Sequence, residues 1–264
     1  MKDNLETLKL DRRGKHIVVV TLNRPQVANA INSRMMDELA YLWTTLINDV
    51  AELRCVVLTG AGERAFSAGA DLKEREGITV EEWQRQHRIL ERAVLAMVEF
   101  TVPIIAAVNG AAYGGGFELA LLSDFIYAAR SARFALPEVT RGIIPGAGGT
   151  QNLSRVAGIN RAKEIILTGR PFDAEEALCW GIVNRVCKDT QLLDDAIATA
   201  DQIASNAPIA VQQARIAMET TRMDKFQNAY IAEMKSYDVT IETADRTEGI
   251  RAFNEKRTAQ FQGL

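Results

Sequence analysis

The chain has few of the residues from which metal and covalent catalytic sites are usually built. Its 264 residues include only two histidines, His16 and His87. Neither histidine has cysteine or acid partners at the spacing of a metal site, so no metal centre is expected. A Ser-His-Asp hydrolase is not indicated either, because nothing in the sequence brings Ser67 or Ser123 next to a histidine.

Cysteines and targeting signals are equally scarce. The three cysteines, Cys55, Cys179 and Cys187, stand singly among apolar neighbours, which favours free thiols in a reducing compartment. The first twenty residues carry acids early and contain no apolar core of a signal peptide. We therefore expect a cytoplasmic protein.

Long apolar runs and basic clusters are also absent. Pro103, Glu118 and Asp124 interrupt the longest apolar stretch, so no membrane span is expected. With a net charge of −3 and no basic patch interleaved with aromatics, a nucleic-acid-binding role is disfavoured. No Gly-x-Gly-x-x-Gly follows a strand, and Gly14-Lys15 lacks the upstream glycine of a P-loop, which argues against nucleotide-binding folds.

What the chain does contain is enough apolar sequence, 47% of residues, for one large core. Met36, Leu39 and Trp43 recur at helical spacing and predict a helix over 33–50. Thr79 with Glu82 predicts a capping box at the start of a second helix. The strand-like runs are 16-HIVVVTL-22, 54-RCVVLT-59, 102-VPIIAAV-108 and 125-FIYAAR-130. The pattern indicates an α/β fold that becomes helix-rich from Leu192 onward.

The most informative segment is 104-IIAAVNGAAYGGGFELALLSDFIYA-128. Gly114, Gly115 and Gly116 follow an apolar strand and mark a loop that opens into a helix. Backbone N–H groups at that helix start suit an oxygen that is or becomes negative. Glu118 falls in the first helical turn among apolar residues, where it either caps the helix or serves chemistry.

Two further loops have similar features. The segment 60-GAGERAFSAGADLKE-74 follows another apolar strand, and two such loops could supply two N–H donors to one oxygen, as in an oxyanion hole. In 134-FALPEVTRGIIPGAGGT-150, Glu138 comes directly after Pro137. Since proline cannot donate to a sheet ladder, Glu138 should lie at a strand end and outside the sheet.

These segments together resemble the crotonase (enoyl-CoA hydratase/isomerase) superfamily. The matching motifs are 68-AGADLK-73, 107-AVNG-110 with 114-GGGFE-118, 137-PE-138 with 142-GIIPG-146 and 148-GGTQ-151, 167-LTGR-170, and 252-AFNEKR-257. The resemblance implies a spiral of ββα turns over residues 1–195 that carries the active site. Residues 196–264 would form a helical region that assembles a homotrimer or a dimer of trimers.

The resemblance also implies roles for individual residues. The backbone N–H groups of Ala70 and Gly115 would form the oxyanion hole, and Glu118 and Glu138 would be the two catalytic acids. Both acids are present, which is the pattern of the family's hydratases. The implied reaction adds water to a trans-2-enoyl-CoA to give a 3-hydroxyacyl-CoA. Further substrate-binding residues would be Ala68, Asp71, Leu72, Lys73 and Gly146.

Coenzyme A is part of this implied substrate, so no separate cofactor is expected. Arg24 and Lys73 lie in loops that match the family's CoA-binding segments. Phe253 and Lys256 match residues that reach the nucleotide from a neighbouring subunit. From the residues alone, Arg24 could equally flank a turn, and Lys256 could be a solvated helix charge.

Other activities remain open on the same fold. Phe117, 134-FALPE-138 and 174-AEEALCWGIVNRV-186 also resemble carnitinyl-CoA dehydratases, and 70-ADLKERE-76 resembles methylglutaconyl-CoA hydratases. An enoyl-CoA isomerase is a further alternative, because Glu138 could move a proton without addition of water. A primary RNA-binding role, known for some family members, is disfavoured by the charge of the chain.

Overall fold

The larger of two β-sheets forms the centre of the fold in a computed structural model. The structure describes residues 5–46, 53–216 and 241–260, together with 218, 230, 231, 234 and 238. The strands of this sheet are β1 Leu8–Arg13, β2 Ile17–Leu22, β3 Cys55–Gly60, β5 Ile104–Val108, β7 Phe125–Ala129 and β10 Arg185–Cys187. Their order is β1-β2-β3-β5-β7-β10. Only the β1–β2 pair is antiparallel among these neighbours.

The central strands form because their residues are apolar on both faces. Every residue of β3 and β5 is buried, as expected for parallel strands covered on both sides. The four strand-like runs of the sequence correspond to β2, β3, β5 and β7. Those predictions are confirmed to within two residues at each end.

A smaller sheet is formed by short strands that occur in the connections between strands of the large sheet. Its strands are β4 Ala65–Ser67, β6 Ala111–Tyr113, β8 Arg133–Ala135 and β9 Phe172–Asp173, in the order β4-β6-β8-β9. The first three run parallel, and β9 is antiparallel to β8. Each of β4, β6 and β8 directly follows a strand of the large sheet, so the chain repeats a strand–strand–helix turn. The predicted α/β spiral of ββα turns is confirmed.

Helices cover the sheets and continue toward the C-terminus. They are α1 Ser33–Leu46, α2 Val80–Glu99, α3 Gly115–Leu122, α4 Gly149–Ala157, α5 Ile159–Thr168, α6 Ala174–Cys179, α7 Leu192–Ser205 and α8 Ala244–Asn254. Short 3-10 helices span Pro25–Val27, Glu138–Arg141 and Asp189–Gln191. The predicted capping box opens α2: the Thr79 side chain accepts the Glu82 N–H and the Glu82 side chain accepts the Thr79 N–H. Residues 47–50 of the predicted first helix lie outside the described residues.

The C-terminal helices contact the rest of the chain in two different ways. Helix α7 spans the predicted boundary at residue 195 and packs on the large sheet through Ala196, Ala200 and Ala204. Helix α8 packs against the 3-10 helix Glu138–Arg141. A Cβ on Gly249 of α8 would lie 2.4 Å from the Arg141 carbonyl oxygen, so the two backbones are in close contact. The role of residues 196–264 in assembly stays a prediction.

None of the helices among the described residues combines the length and the apolar character needed to cross a membrane. All three cysteines are free thiols, with Cys55 and Cys187 buried. Burial raises the pKa of the Cys55 thiol to about 12, so this sulfur stays protonated and unreactive.

Candidate active site

A cavity of about 440 Å³ opens at one edge of the small sheet. Three loops line it, and they follow β4, β6 and β8 at Ala68–Asp71, Gly114–Gly115 and Pro137–Glu138. Because these strands are parallel neighbours, their carboxyl ends lie at the same edge of the sheet. The fold thereby brings together segments that are far apart in the sequence.

The loop after β4 leaves the backbone N–H of Ala70 pointing away from Ile31, the residue to which this loop is hydrogen-bonded. Ile31 bridges to Ala70: the Ile31 N–H donates to the Gly69 oxygen at 2.8 Å, and the Asp71 N–H donates to the Ile31 oxygen at 2.9 Å. Because successive amides in an extended chain alternate in direction, the Ala70 N–H points away from Ile31. Gly69 has φ +86, and a Cβ there would lie 2.6 Å from the Tyr113 oxygen. Only glycine permits this approach.

The loop after β6 brings a second amide beside the first. Gly114 is the N-cap of α3, with φ 51, and Gly115 is the first helical residue, whose N–H has no acceptor within its own helix. A Cβ on Gly115 would lie 3.9 Å from the Ala70 nitrogen. The two predicted oxyanion-hole residues therefore adjoin each other on the wall of one cavity.

Glu118 lies in the first turn of α3, as predicted, and is only 3% exposed. Its Oε1 accepts the N–H groups of Ala147 and Gly149, both at 2.8 Å. A Cβ on Gly149 would lie 2.7 Å from that oxygen, so the backbone at the start of α4 lies directly against the Glu118 carboxylate. Two N–H donors aimed at one oxygen hold the carboxylate in a fixed orientation at the cavity.

Glu138 reaches the cavity from a different element. It begins the 3-10 helix Glu138–Arg141 after Pro137 and lies outside the sheet, as predicted. The residue is 8% exposed, and its Oε1 would be 2.9 Å from a Cβ on Gly114. At the other end of this helix, burial lowers the pKa of Arg141, and the negative charge of Glu138 opposes that effect.

The other predicted substrate-binding residues of the β4 loop also line the cavity. These are Ala68, Asp71, Leu72 and Lys73, and Gly146 lines it from the loop before α4. Arg24 is not among the lining residues. Its Nη1 donates to the Asp71 Oδ2 at 2.9 Å and to the Ala30 oxygen at 2.7 Å. Arg24 therefore holds the loop after β4 through Asp71.

The two C-terminal residues predicted to bind CoA, Phe253 and Lys256, lie in different positions relative to the cavity. Phe253 of α8 lines the cavity of its own chain, with the Arg141 guanidinium 5.0 Å from its ring centroid. The expectation that Phe253 reaches the nucleotide bound by a neighbouring subunit stays a prediction. Lys256 is exposed, does not line the cavity, and has φ 56 in the turn that ends α8.

Sequence reasoning missed several residues that line the cavity. They are Met36, Arg75, Leu90, Tyr113, Arg141, Ile143 and Ile144 among others. Arg141 could have been noticed from its place three residues after Glu138. Arg75 carried no such signal, because a charge within 73-KERE-76 predicts a solvated turn.

The arrangement suits stabilisation of a developing negative oxygen together with proton transfer. Two adjacent amides can bind one oxygen, and two buried carboxylates can exchange protons with neighbouring atoms. Among the described residues, no group of three or more His, Cys, Asp or Glu could hold a metal ion.

Comparison with known proteins agrees with this geometry. The family model described as enoyl-CoA hydratase/isomerase matches residues 12–263. A short-chain-enoyl-CoA hydratase from Clostridium acetobutylicum is 41% identical over 255 residues, 96% of each chain. A carnitinyl-CoA dehydratase from Shigella flexneri is 39% identical over 265 residues, covering 98% of this chain and 99% of that one.

A solved structure supports the same conclusion. The crystal structure of an enoyl-CoA hydratase from Bacillus anthracis is 43% identical and superimposes with a TM-score of 0.80, covering 98% of this chain and all of that one. Sequence and fold agree over nearly the full length. The chain therefore belongs to the enoyl-CoA hydratase/isomerase (crotonase) family.

Proposed function

We propose that this protein is an enoyl-CoA hydratase that adds water to a trans-2-enoyl-CoA and forms a 3-hydroxyacyl-CoA. The observation that carries the proposal is the pair of buried carboxylates, Glu118 and Glu138, on the cavity that the Ala70 and Gly115 amides also line. Addition of water needs a group that activates the water and a group that exchanges a proton at the neighbouring carbon. One acid alone would suffice for double-bond migration.

In the proposed mechanism the thioester oxygen accepts the N–H groups of Ala70 and Gly115. As water attacks C3, negative charge moves onto this oxygen, and each donor that stabilises it contributes about 3–4 kcal/mol. Glu118 activates the water, while its Oε1 stays bonded to Ala147 and Gly149. Glu138 exchanges the proton at C2, and the Gly146 amide helps to hold the water.

The proposal extends to CoA binding, assembly and location. Lys73 and Phe253 line the cavity and would contact the CoA portion, whereas Lys256 would act on the nucleotide from outside the cavity. Arg24 would contribute by holding Asp71. We place the enzyme in the cytoplasm as a homotrimer or a dimer of trimers.

A second activity on the same site is dehydration of a carnitinyl-CoA. What favours it is the identity of 39% to the Shigella flexneri dehydratase, which is close to the 41% to the Clostridium acetobutylicum hydratase. Both reactions use the same pair of acids in opposite directions. The acyl group must therefore be identified from the cavity and by experiment.

The direct test is a panel of trans-2-enoyl-CoA thioesters that differ in length, branching and polar groups. Hydration removes the conjugated double bond, so the loss of its absorbance reports the reaction. We expect turnover of at least one member, and a gain of absorbance from 3-enoyl-CoA would indicate isomerase activity instead. Absence of turnover with every thioester, carnitinyl-CoA included, would contradict the proposed function.

A further inference from the structure

The 3-10 helix that begins with Glu138 is in backbone contact with α8. A Cβ on Gly249 of α8 would lie 2.4 Å from the carbonyl oxygen of Arg141, the last residue of the 3-10 helix. A Cβ on Gly142 would lie 2.6 Å from the carbonyl oxygen of Asp245 in α8. Each element thus has a glycine where the backbone of the other lies against it. A methyl group at either position would force the two helices apart, because closely packed backbones have no free volume to take it up.

These contacts come from one face of α8. Asp245, Gly249 and Phe253 are spaced four residues apart, so they lie on the same side of the helix. Phe253 contacts the same element, because the Arg141 guanidinium lies 5.0 Å from its ring centroid. This face of α8 therefore meets the end of the 3-10 helix, about one helical turn from Glu138.

Helix α8 is itself fixed against α2. Ile250 is buried in one apolar cluster with Trp83 of α2. Arg246 is also buried, its Nε donates to the Ile241 oxygen at 3.0 Å, and its guanidinium lies 5.0 Å from the Trp83 ring centroid. The face that contacts the 3-10 helix consequently belongs to a helix with its own support.

The end of α5 contacts the 3-10 helix as well. Gly169 is the C-cap of α5, and a Cβ on it would lie 2.8 Å from the Thr140 Cγ2 and 3.3 Å from the Pro137 Cα. A 3-10 helix of four residues has few internal hydrogen bonds, so its position depends on the elements packed against it. This differs from Glu118, whose carboxylate is oriented by N–H groups bonded to it directly.

We propose that Gly249 and Gly142 are positioning residues for Glu138, an inference that rests on the proposed hydratase function. The close approach that they permit between α8 and the 3-10 helix would set the distance of the Glu138 carboxylate from C2 of the substrate. Proton transfer needs donor and acceptor within hydrogen-bond reach, so a shift of about 1 Å can cost on the order of 10²-fold in rate. Neither glycine lines the cavity, so each would act through Glu138.

The first test adds one methyl group at this contact. Gly249→Ala should lower kcat by roughly 10–10²-fold with little change in KM. Thr247→Ala is the matched control, because it also introduces alanine into α8 but at an exposed position, and it should keep the wild-type kcat. Circular dichroism and urea unfolding establish that both variants fold. Equal kcat values for the wild type and a folded Gly249→Ala would overturn the proposal.

A double-mutant cycle shows whether Gly249 acts through Glu138. In Glu138→Gln the proposed acid is already lost, so the addition of Gly249→Ala should lower kcat by at most about threefold more. A structural role alone would lower kcat by the same factor in both backgrounds, and that result would contradict the proposal.

Exchange of the C2 proton for deuterium in a saturated acyl-CoA gives a second readout, since it requires no attack of water at C3. Mass spectrometry of the thioester in deuterated buffer measures it. Gly249→Ala should slow this exchange by a factor similar to that for hydration. Exchange at the wild-type rate would show that the proton transfer assigned to Glu138 does not depend on this contact.

Gly142→Ala perturbs the same contact from the side of the 3-10 helix and serves if Gly249→Ala does not fold. Gly142 has φ +72, so Gly158→Ala, with φ +75 and no atom of the described residues within 4 Å of the new Cβ, controls for backbone strain. Gly142→Ala should lower kcat by roughly 10–10²-fold, and Gly158→Ala should not. Equal kcat values in these two variants would overturn the proposal.

Crystal structures of the variants locate Glu138 independently of activity. We expect its carboxylate to be displaced, while Glu118 keeps its bonds to Ala147 and Gly149. A Glu138 in the wild-type position would overturn the positioning role even if kcat had fallen. If the wild type hydrates no enoyl-CoA, the proposed function fails, and the structures still decide whether the two glycines position Glu138.

Discussion

Both sheets of this protein are mostly parallel, with one antiparallel strand at an edge of each, but they contribute differently to the fold and to the candidate site. The large sheet consists of strands of up to six residues whose central members, β3 and β5, are buried throughout. The small sheet has strands of only two or three residues. Each parallel strand of the small sheet nevertheless ends in a loop that lines the cavity, whereas the large sheet contributes none of the proposed catalytic groups.

The large sheet mainly stabilises the fold, and the small sheet mainly positions the proposed catalytic groups. Burial of the apolar strands of the large sheet contributes to the hydrophobic stabilisation of the core. The small sheet holds Ala70, Gly115 and Glu138 in register through close backbone contacts at glycines. Changes in the small sheet should therefore alter activity, and changes in the large sheet should alter stability.

The largest expected effect follows removal of either acid. Glu118→Gln should lower kcat by roughly 10²–10⁴-fold, because the proposed base is lost. The amide oxygen of glutamine can still accept the N–H groups of Ala147 and Gly149, so the fold should persist. Glu138→Gln should have an effect of similar size. Steady-state kinetics with the best thioester of the panel, together with circular dichroism, measures both.

The double variant tests whether the acids act together. If both act on one water, the loss in Glu118→Gln/Glu138→Gln should be far smaller than the product of the single losses. Near-normal hydration by either single variant would show that this acid is not catalytic. Multiplicative losses would mean that the two carboxylates serve independent steps.

The next largest loss of activity is expected from a substitution that adds a methyl group between α3 and β4. In Gly116→Ala the new Cβ would lie 2.4 Å from the Ser67 oxygen, so α3 must move and carry Gly115 and Glu118 with it. A shift of about 1 Å at a catalytic group can cost on the order of 10²-fold in rate. Overpacking should also lower the free energy of unfolding by about 1–3 kcal/mol.

Gly14→Ala, in the hairpin between β1 and β2, is the matched control. Gly14 has φ +61, and a Cβ there would meet no atom of the described residues within 4 Å, so only backbone strain of about 1 kcal/mol is expected. Its kcat should equal that of the wild type. Equal activity in both variants would show that the contact between α3 and β4 does not position the donors.

Acid should weaken the packing around α2 through His87. Its pKa is lowered to about 4 in the folded state from an ordinary value of 6.5, so the folded state binds fewer protons. Stability is therefore complete above about pH 6.5 and falls by roughly 3 kcal/mol as the pH drops to 4. When the free energy of unfolding is measured with urea at pH 7, 5.5 and 4, His87→Gln should not show this fall toward acid pH. An unchanged pH dependence would exclude His87 as its source.

The smallest effect on activity is expected from a cavity in the large sheet. Val57 of β3 is fully buried, and Val57→Ala should lower the free energy of unfolding by about 2 kcal/mol. The kcat of the folded variant should be unchanged, as measured below its unfolding temperature. A large fall in kcat would remove the distinction between the two sheets.

The strands of the large sheet and the three site loops could be predicted from local patterns. A continuous apolar run specifies a strand buried on both faces, and glycine clusters mark backbone turns wherever they occur. The position of Glu138 outside the sheet followed from Pro137 alone, because proline lacks an N–H. The strands of the small sheet were not predicted, since two or three residues are too few for a periodic pattern.

What the sequence by itself determined was therefore local: the buried strands, the capping box of α2, the glycine loops and the two acids near them. The tertiary structure alone decided that Arg75 of a charged turn is buried against Trp83, and that α8 folds back so that Phe253 lines its own cavity. The same holds for the exposed position of Lys256 outside that cavity. These outcomes depend on contacts between residues far apart in the chain, and a local pattern of charge or hydropathy carries no information about which distant surface will cover it.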